Sequence, residues 1–188
     1  MSEELAYSYS PDLLAARNPK QYAVVIFLPA TLDGIIAPLR EKYDPDFKLI
    51  SSHVSLVFPF QTKRSLDEVA SIISQEIVKL GAFQLELDSI GDFYPDFPII
   101  FWQVKQNEHL KKLCLVLHAR LDIPLPHKKY CAHVTVAKEI SPHRVMLIKE
   151  ELFPYLPDEK FSPQSVDLIA PVADQNWVSI RTFPITRG

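Results

Sequence analysis

Two short histidine motifs carry the side chains of this sequence that are best suited to chemistry. His53-Val54-Ser55-Leu56 and His133-Val134-Thr135-Val136 share one pattern and begin 80 residues apart. Both motifs lie in runs rich in β-branched residues, which are typical of strands. Because alternate side chains of a strand point to the same face, each motif is predicted to present one imidazole beside one hydroxyl.

Two such strands facing one another would frame a small polar cleft suited to phosphoryl transfer. Imidazole titrates near neutral pH, so one histidine can take a proton from attacking water while the other protonates the leaving oxygen. Hydroxyl groups can donate hydrogen bonds to the non-bridging oxygens of the phosphate. We therefore predict His53 and His133 as catalytic residues, with either one as the base, and Ser55 and Thr135 as phosphate-binding residues.

This chemistry needs no metal ion or other cofactor, and none is predicted. The sequence shows no obvious set of carboxylates for Mg²⁺ and no CxxC or Cys/His spacing typical of a zinc site. The two cysteines, Cys114 and Cys131, are too few for a disulfide framework.

The elements that must position the motifs occur in the same order twice. Hydrophobic periodicity predicts strands at 22–28, 52–60 and 83–87 in the first half, and at 99–104, 130–136, 161–171 and 177–185 in the second. Helices are predicted between them, one capped by Thr31, one starting with a capping box of Ser65 and Glu68 and ending near Gly81, one along 110–121 and one along 142–153. A β-α-β-α-β order that occurs twice indicates an internal duplication.

The duplication predicts an α+β fold with two lobes whose antiparallel sheets face a central cleft. The right-handed crossover rule makes a split β-α-β arrangement natural for each lobe. We expect lobes of roughly 21–95 and 96–188 within one bilobal domain, with strands that can interleave. Residues 1–20 are expected to form an N-terminal arm.

On these motif residues the sequence resembles the two-histidine phosphoesterase superfamily. The family pattern is a histidine, any residue, Thr or Ser, and a hydrophobic residue, present twice on the inner strands of a bilobal α/β fold. The superfamily includes bacterial 2′-5′ RNA ligases, cyclic nucleotide phosphodiesterases of tRNA splicing and the enzyme that trims U6 small nuclear RNA. The resemblance covers about residue 22 to the C-terminus and implies a 2′,3′-cyclic phosphodiesterase-like activity, with reversible 2′-5′ RNA ligation as an additional possibility.

Three aromatic residues near the motifs are candidates for stacking a nucleobase or lining the cleft: Tyr130, Phe58 and Trp102. Such stacking contributes about 1–3 kcal/mol per base in single-strand binders, although packing in the core is the alternative for each ring. Strand parity places Lys138 on the face opposite His133, away from the cleft.

Three other histidines are expected to lie at the surface rather than in the cleft. His109 and His118 are predicted to be surface or edge residues of the helix along 110–121. His127 lies in a basic segment, residues 126–129, which is expected to be a solvated loop rather than a phosphate contact.

Composition limits the classes of protein to which the chain can belong. With 188 residues, 47% of them hydrophobic, the chain can bury a sizeable core in one domain. A formal charge of −3 disfavours broad attraction to duplex DNA, which requires many Lys and Arg contacts to phosphates. With no apolar run long enough for a membrane span, we predict a monomeric cytoplasmic protein whose substrate is an RNA end or a nucleotide cyclic phosphate.

The sequence leaves three other classes open. A binding module could use the same cleft to hold a nucleotide or an RNA end without turnover. A metal protein could use the two histidines as ligands, although partners at ligand spacing are missing. A structural or interaction protein could retain the repeated motifs only as relics.

Overall fold

The computed structural model describes residues 21–125, 130–172 and 175–186. The described strands are β1 Gln21–Phe27, β2 His53–Gln61, β3 Leu85–Asp92, β4 Ile99–Val104, β5 His133–Lys138, β6 Lys160–Phe161, β7 Ser165–Pro171 and β8 Trp177–Pro184. The described α-helices are α1 Ala30–Tyr43, α2 Leu66–Ile77, α3 Glu108–Leu121 and α4 Val145–Leu152. The predicted arm and the 126–129 segment with His127 lie outside the described residues.

All eight described strands join one antiparallel sheet in the order β6-β3-β4-β5-β2-β1-β7-β8. The predicted α+β class with antiparallel strands is thereby confirmed. The sheet has two halves that meet where β5 pairs with β2, through Val54 and Val134. The strands are interleaved, since β3 joins the half of β4 and β5 while β7 and β8 join the half of β1 and β2.

The two faces of the sheet have different coverings. The four described helices pack on one face and bury the main core there, with contributions from most of the strands. The helices are amphipathic, as their periodicity predicted, because their apolar stripes face this core. The opposite face carries a small apolar cluster around Val25 and Trp177, and it is the face that holds the motif histidines and hydroxyls. No helix in the described ranges is long and apolar enough to span a bilayer.

Trp102 lies on the helix-covered face, so its predicted role in base stacking is wrong. Its register partner in β5 is Val134, and its side chain is 0% exposed within the main core. Its neighbour Phe101 pairs with Thr135 and therefore lies on the motif face. The alternation of a strand sends the two rings to opposite faces, and only the register decides which one reaches the cleft.

Each motif strand contains a bulge directly after its histidine and hydroxyl. The pairing of β2 with β1 skips Leu56, and the pairing of β5 with β4 skips Val136. Two successive side chains then face the core in each strand, at 56–57 and 136–137, and all four are 0% exposed. A bulge of this kind reverses the alternation of the residues that follow it.

The bulges bring Phe58 and Lys138 back to the face of the motifs. Both residues line the same pocket as the two histidines. The prediction that Lys138 points away from the cleft is therefore wrong, because simple alternation does not hold across Val136 and Ala137. Phe58 and Lys138 occupy equivalent positions, each five residues after its motif histidine.

Local sequence signals predicted that these helices exist, but they did not always predict the residue at which a helix begins. The capping box of Ser65 and Glu68 is present, and Gly81 adopts a left-handed φ of 67° after the end of α2. Helix α1, however, begins at Ala30 after Pro29 with no side-chain cap, so the predicted cap by Thr31 is wrong.

The strand predicted at 161–171 is two strands. β6 pairs with β3 at one edge of the sheet, whereas β7 pairs with β1 and β8 in the other half. Pro163 lies between them, and it lacks the N–H that a continuous strand would use for pairing.

Substitution by alanine is expected to have opposite effects on stability at Gly91 and at Gly34. A Cβ at Gly91 would lie 2.5 Å from two ring carbons of Phe101, whose ring also packs on His133. We expect Gly91→Ala to lower the free energy of unfolding by about 1–3 kcal/mol, the usual cost of overpacking. Gly34 lies exposed within α1 with nothing within 4 Å of an added Cβ, so Gly34→Ala should raise it by roughly 0.5–1 kcal/mol. Urea unfolding of both variants tests this, and a Gly91→Ala variant as stable as the wild type would contradict the tight contact.

Candidate active site

The register between β2 and β5 places the four motif side chains at the corners of a square. Because Val54 opposes Val134 in antiparallel strands, His53 lies level with Thr135 and Ser55 lies level with His133. The two histidines therefore occupy one diagonal and the two hydroxyls the other. All four line one small pocket on the open face of the sheet. The structure thus brings together the four predicted catalytic and phosphate-binding residues.

Each histidine is held by the same hydrogen bond to its own strand. The Nδ1 atom of His53 lies 2.8 Å from the Ser51 carbonyl oxygen, and that of His133 lies 2.8 Å from the Cys131 carbonyl oxygen. A carbonyl oxygen only accepts, so Nδ1 must carry a hydrogen in both rings. The Nε2 atom is then the nitrogen that gains or loses a proton, as general acid–base catalysis requires.

The two histidine rings differ in how many aromatic side chains they contact. His133 contacts two phenylalanines, Phe93 at 4.9 Å and Phe101 at 5.0 Å between ring centroids. His53 contacts Phe27 at 6.3 Å with its ring turned edge-on. These contacts restrict the χ angles of both imidazoles and exclude water from one side of each ring.

An ionic network adjoins the pocket, and its residues were not predicted as site residues. The guanidinium of Arg40 makes two hydrogen bonds to one carboxylate oxygen of Asp44, at 3.0 and 2.8 Å. Lys138 lies 2.9 Å from Asp46 and 3.7 Å from Asp44. We call Arg40, Asp44, Asp46 and Lys138 the Arg40 network. Arg40, Asp44 and Lys138 line the pocket itself.

The sequence carried a signal for the Arg40 network. Arg40 follows Ile36 by four residues on the buried stripe of α1, where a charge is unexpected. Asp44 follows Arg40 by four residues, the spacing of an ion pair along a helix. A charge on an apolar stripe with a partner at helical spacing indicates a buried ion pair.

Burial disfavours the protonated form of both histidines. It is the main reason that the pKa of His53 is lowered from 6.5 to about 4, and the cations Arg40 and Lys138 act in the same direction. Burial also lowers the pKa of His133, with Lys138 again acting in the same direction. In both rings the hydrogen bond from Nδ1 to a backbone carbonyl opposes this shift. One imidazole must therefore gain a proton before the pair can act as acid and base.

The remaining aromatic candidates lie in different surroundings. Phe58 lines the pocket and is half-buried, as predicted for a cleft-lining ring. Tyr130 instead packs against the main core, and its hydroxyl donates a hydrogen bond of 2.9 Å to the Ser55 carbonyl. Tyr130 thus supports the strand that carries Ser55 rather than offering a face for stacking.

Two predictions about other residues have different outcomes. His109 is exposed, as predicted, and stacks on Phe83. His118 is 3% exposed within the helix layer, so its prediction as a surface residue is wrong. Among the described residues, no group of three or more His, Cys, Asp or Glu side chains is arranged to hold a metal ion.

Residues 28–175 match the family model of the 2′-5′ RNA ligase superfamily, and this range contains both motifs and the Arg40 network. The chain belongs to this superfamily. The predicted resemblance to two-histidine phosphoesterases is confirmed by this match.

Relatives of this superfamily chain have names that indicate phosphoesterases. A Geobacillus kaustophilus protein that bears the name "Putative phosphoesterase" is 24% identical over 167 residues, which cover 87% of this chain and 95% of that protein. A Bacillus pumilus protein of the same name is 30% identical over 122 residues, 64% of this chain and 71% of that protein. The names of these relatives support assignment of this superfamily member as a phosphoesterase.

Solved structures show the same fold at low sequence identity. Escherichia coli LigT, in a complex with 3′-AMP, aligns with a TM-score of 0.65 at 15% identity and covers 90% of this chain and 100% of LigT. A Thermus thermophilus protein aligns with a TM-score of 0.64 at 15% identity and covers 89% of this chain and 98% of that protein. The fold of this superfamily member is therefore the LigT-like two-histidine phosphoesterase fold.

The lowered pKa of His53 predicts a specific dependence of stability on pH. The unfolded chain binds a proton at His53 near pH 6.5 and the folded chain only near pH 4, so the free energy of unfolding falls as the pH drops through this window. His53→Gln removes this proton uptake and should make the fall shallower than in the wild type. Urea unfolding at several pH values between 6.5 and 4 measures how steeply the free energy of unfolding depends on pH.

The control for this prediction is His143→Gln, which changes an exposed histidine. It should keep the wild-type slope, since carboxylates that also titrate in this range are shared by both variants. Equal slopes for His53→Gln and His143→Gln would contradict the lowered pKa.

Proposed function

We propose that the protein is a metal-independent phosphodiesterase that hydrolyses a 2′,3′-cyclic phosphate or a phosphodiester at an RNA end. The observation that carries this proposal is the diagonal arrangement of His53 and His133. A phosphorus atom at the centre of the square would have one Nε2 on the side of the attacking water and the other on the side of the leaving oxygen. In-line displacement at phosphorus needs a base and an acid at these two positions.

In this reaction one new P–O bond forms to water and one P–O bond of the ring breaks. One imidazole takes a proton from the water, while the other gives a proton to the departing ribose oxygen. The product is a phosphomonoester next to a free hydroxyl. Afterwards each histidine carries the other protonation state, and exchange with solvent restores the starting pair.

The two hydroxyls are placed to stabilise the phosphoryl group during this exchange. Ser55 and Thr135 occupy the other diagonal of the square, so they can donate to the non-bridging oxygens from both sides. Tyr130 and the β2–β5 pairing hold this geometry before substrate binds. Such preorganised donors do not need to reorient as charge builds on the oxygens.

The charges in the pocket favour a phosphodiester as substrate. Arg40 and Asp44 pair with one another, and Lys138 pairs with Asp46, so these four charges balance. A phosphodiester brings one negative charge, which a single protonated histidine neutralises. The anion also favours proton uptake by an imidazole, so binding of substrate supplies the acid that the free site lacks.

Membership of the 2′-5′ RNA ligase superfamily supports an RNA end or a nucleotide as the substrate. Escherichia coli LigT binds 3′-AMP, a nucleoside monophosphate of the kind that opening a 2′,3′-cyclic phosphate yields. The same site would catalyse 2′-5′ ligation if a ribose 5′-hydroxyl replaced water as the nucleophile, so that the bond from phosphorus to the 3′-oxygen breaks and a 2′-5′ phosphodiester forms.

We expect His53→Ala and His133→Ala each to abolish detectable opening of a 2′,3′-cyclic phosphate while the chain stays folded. General acid and general base catalysis each contribute about 10²–10⁴-fold, and these rings also define the pocket. Ser55→Ala and Thr135→Val should each reduce kcat by roughly 10²–10³-fold, as loss of one oxyanion donor does. The assay follows a short RNA ending in 2′,3′-cyclic phosphate, with a chelator present throughout.

Two controls make this assay decisive. His109→Ala changes an exposed histidine away from the pocket and should keep full activity. Near-wild-type activity of His53→Ala or His133→Ala would sink the two-histidine mechanism, and loss of wild-type activity in chelator would sink metal independence. Tight binding of the RNA end without turnover would favour a binding module.

Phe58 is proposed to stack the nucleobase next to the phosphate. Phe58→Leu keeps an apolar side chain but removes the π-face, so KM for a cyclic nucleotide should rise about 5- to 100-fold with a smaller change in kcat, in line with about 1–3 kcal/mol per stacked base. Trp102→Phe is the matched control because its ring lies in the core on the other face. An unchanged KM for Phe58→Leu would exclude stacking at this ring.

A further inference from the structure

The strands that flank β2 and β5 place one further side chain beside each corner of the square. These four side chains share the face of the motifs, because directly opposed residues of antiparallel strands point to the same side of a sheet. They are Phe27 beside His53, Val25 beside Ser55, Phe101 beside Thr135 and Gln103 beside His133. Gln103 is the one polar side chain among the four.

The β1 side of the square is filled by apolar packing. Val25 is 0% exposed and belongs to the small apolar cluster with Ile169 and Trp177, against which Ile50 also packs. The backbone N–H of Trp177 donates to the Leu49 carbonyl at 2.8 Å, which holds the segment before β2 over this part of the sheet. A side chain that is fully covered has no surface for a ligand, so Val25 cannot contact a substrate.

The β4 side presents a hydrogen-bonding group instead. Phe101 is 3% exposed and packs against Phe93, with 4.3 Å between the ring centroids. Gln103 is half-buried, and its side-chain amide makes no hydrogen bond to any group in residues 21–125, 130–172 and 175–186. An amide side chain offers two donors and one acceptor oxygen, and polar groups that lose contact with water usually have partners. The amide of Gln103 is therefore available to a ligand in the cleft.

Gln103 lies within reach of a ligand that stacks on Phe58. Strand β2 continues past Ser55 to Phe58, whose ring the bulge returns to the motif face. Gln103 lies level with Ser55 but two strands away, beyond His133. With strands about 4.8 Å apart and alternate residues about 7 Å apart, the Cα atoms of Phe58 and Gln103 are roughly 12 Å apart. A base stacked on Phe58 and the long side chain of Gln103 together span this distance, and a purine does so more fully than a pyrimidine.

The charged side chains lie on the other side of the square. Strand β5 runs opposite to β2, so Lys138 lies beyond the row of His53 and Thr135, whereas Phe58 lies beyond the other row. Lys138 is also the member of β5 that contacts the Arg40 network, at 2.9 Å from Asp46. The surroundings of Phe58 and Gln103 are thus uncharged, which suits a neutral nucleobase rather than a second phosphate.

We propose that Gln103 is a specificity-determining residue that reads the edge of a nucleobase stacked on Phe58. Glutamine makes paired amide contacts of this kind to the N6 and N7 atoms of adenine. The preferred substrate is therefore a 2′,3′-cyclic phosphate whose nucleoside is adenosine. This inference rests on the phosphodiesterase function proposed above and extends it from the phosphate to the base.

The experiment compares five substrates, namely the 2′,3′-cyclic phosphates of adenosine, guanosine, cytidine and uridine, and a ribose 2′,3′-cyclic phosphate without a base. The wild type should have its lowest KM for the adenosine compound. Gln103→Leu keeps the size of the side chain but removes the amide, so this KM should rise about 5- to 100-fold, the discrimination that one bidentate pair provides. Its kcat should stay close to that of the wild type, and its KM for the base-free compound should be unchanged.

Two further variants test whether the effect comes from the amide at this position. Gln106→Leu is the matched control, because it makes the same change at an exposed glutamine just after the end of β4, and it should keep all five KM values. Gln103→Glu keeps the shape but can only accept hydrogen bonds, so it cannot donate to N7 of adenine. Its preference should shift from adenosine toward cytidine, whose N4 amino group donates to a carboxylate. The ratio of the two KM values is compared, since the added negative charge raises both.

Three results would overturn the inference. The first is an unchanged order of the four nucleotides in Gln103→Leu. The second is an equal rise in KM for the adenosine and the base-free compounds, which would indicate a structural role for Gln103. The third is a wild type that prefers a pyrimidine nucleotide.

Failure of the proposed function has a different signature, which is the absence of wild-type turnover on all five compounds. Dissociation constants of the same four nucleotides, measured by isothermal titration calorimetry, then replace the KM values. Loss of the adenosine preference in Gln103→Leu would support recognition of the base by Gln103, and identical constants in the wild type and Gln103→Leu would overturn it.

Discussion

The pairing of Val54 with Val134 is the constraint on which the site depends. It joins the two half-sheets and sets the register of the motif strands, and it thereby places His53 level with Thr135 and His133 level with Ser55. A slip of one residue would send these side chains into the helix-covered core and bring the buried valines to the cleft. Burial of both valines stabilises this register, because any slip would put polar groups in the core.

The paired bulges extend the site beyond the motifs. Without them, strand alternation would bury Phe58 and Lys138 and remove both side chains from the pocket. With them, the pocket gains an aromatic ring from β2 and a cation from β5 that is tied to the Arg40 network. The same backbone irregularity occurs in both copies, but the residue that it exposes differs. A symmetric scaffold thus holds an asymmetric pocket.

Electrostatics in this pocket depends on burial more than on the number of charges. The cations are paired with carboxylates, and burial lowers the pKa of both imidazoles because it disfavours their charged form. In the proposed reaction, a bound phosphate would draw a proton into the site, because its negative charge favours the protonated imidazole. Hydrogen bonds from Nδ1 to the Ser51 and Cys131 carbonyls leave Nε2 as the nitrogen of each ring that gains or loses a proton.

The sequence by itself determined the α+β class, the duplicated order of elements, the family and the four motif residues, because periodicity and motif spacing are local properties. Only the tertiary structure decided that Trp102 faces the core, that Lys138 reaches the pocket, that His118 is buried and that Arg40 stands behind His53. Each of these depends on strand register, on a bulge or on the packing of a helix against a distant strand. Such features arise from contacts between residues far apart in the chain, and strand alternation assumed without bulges predicts the wrong face.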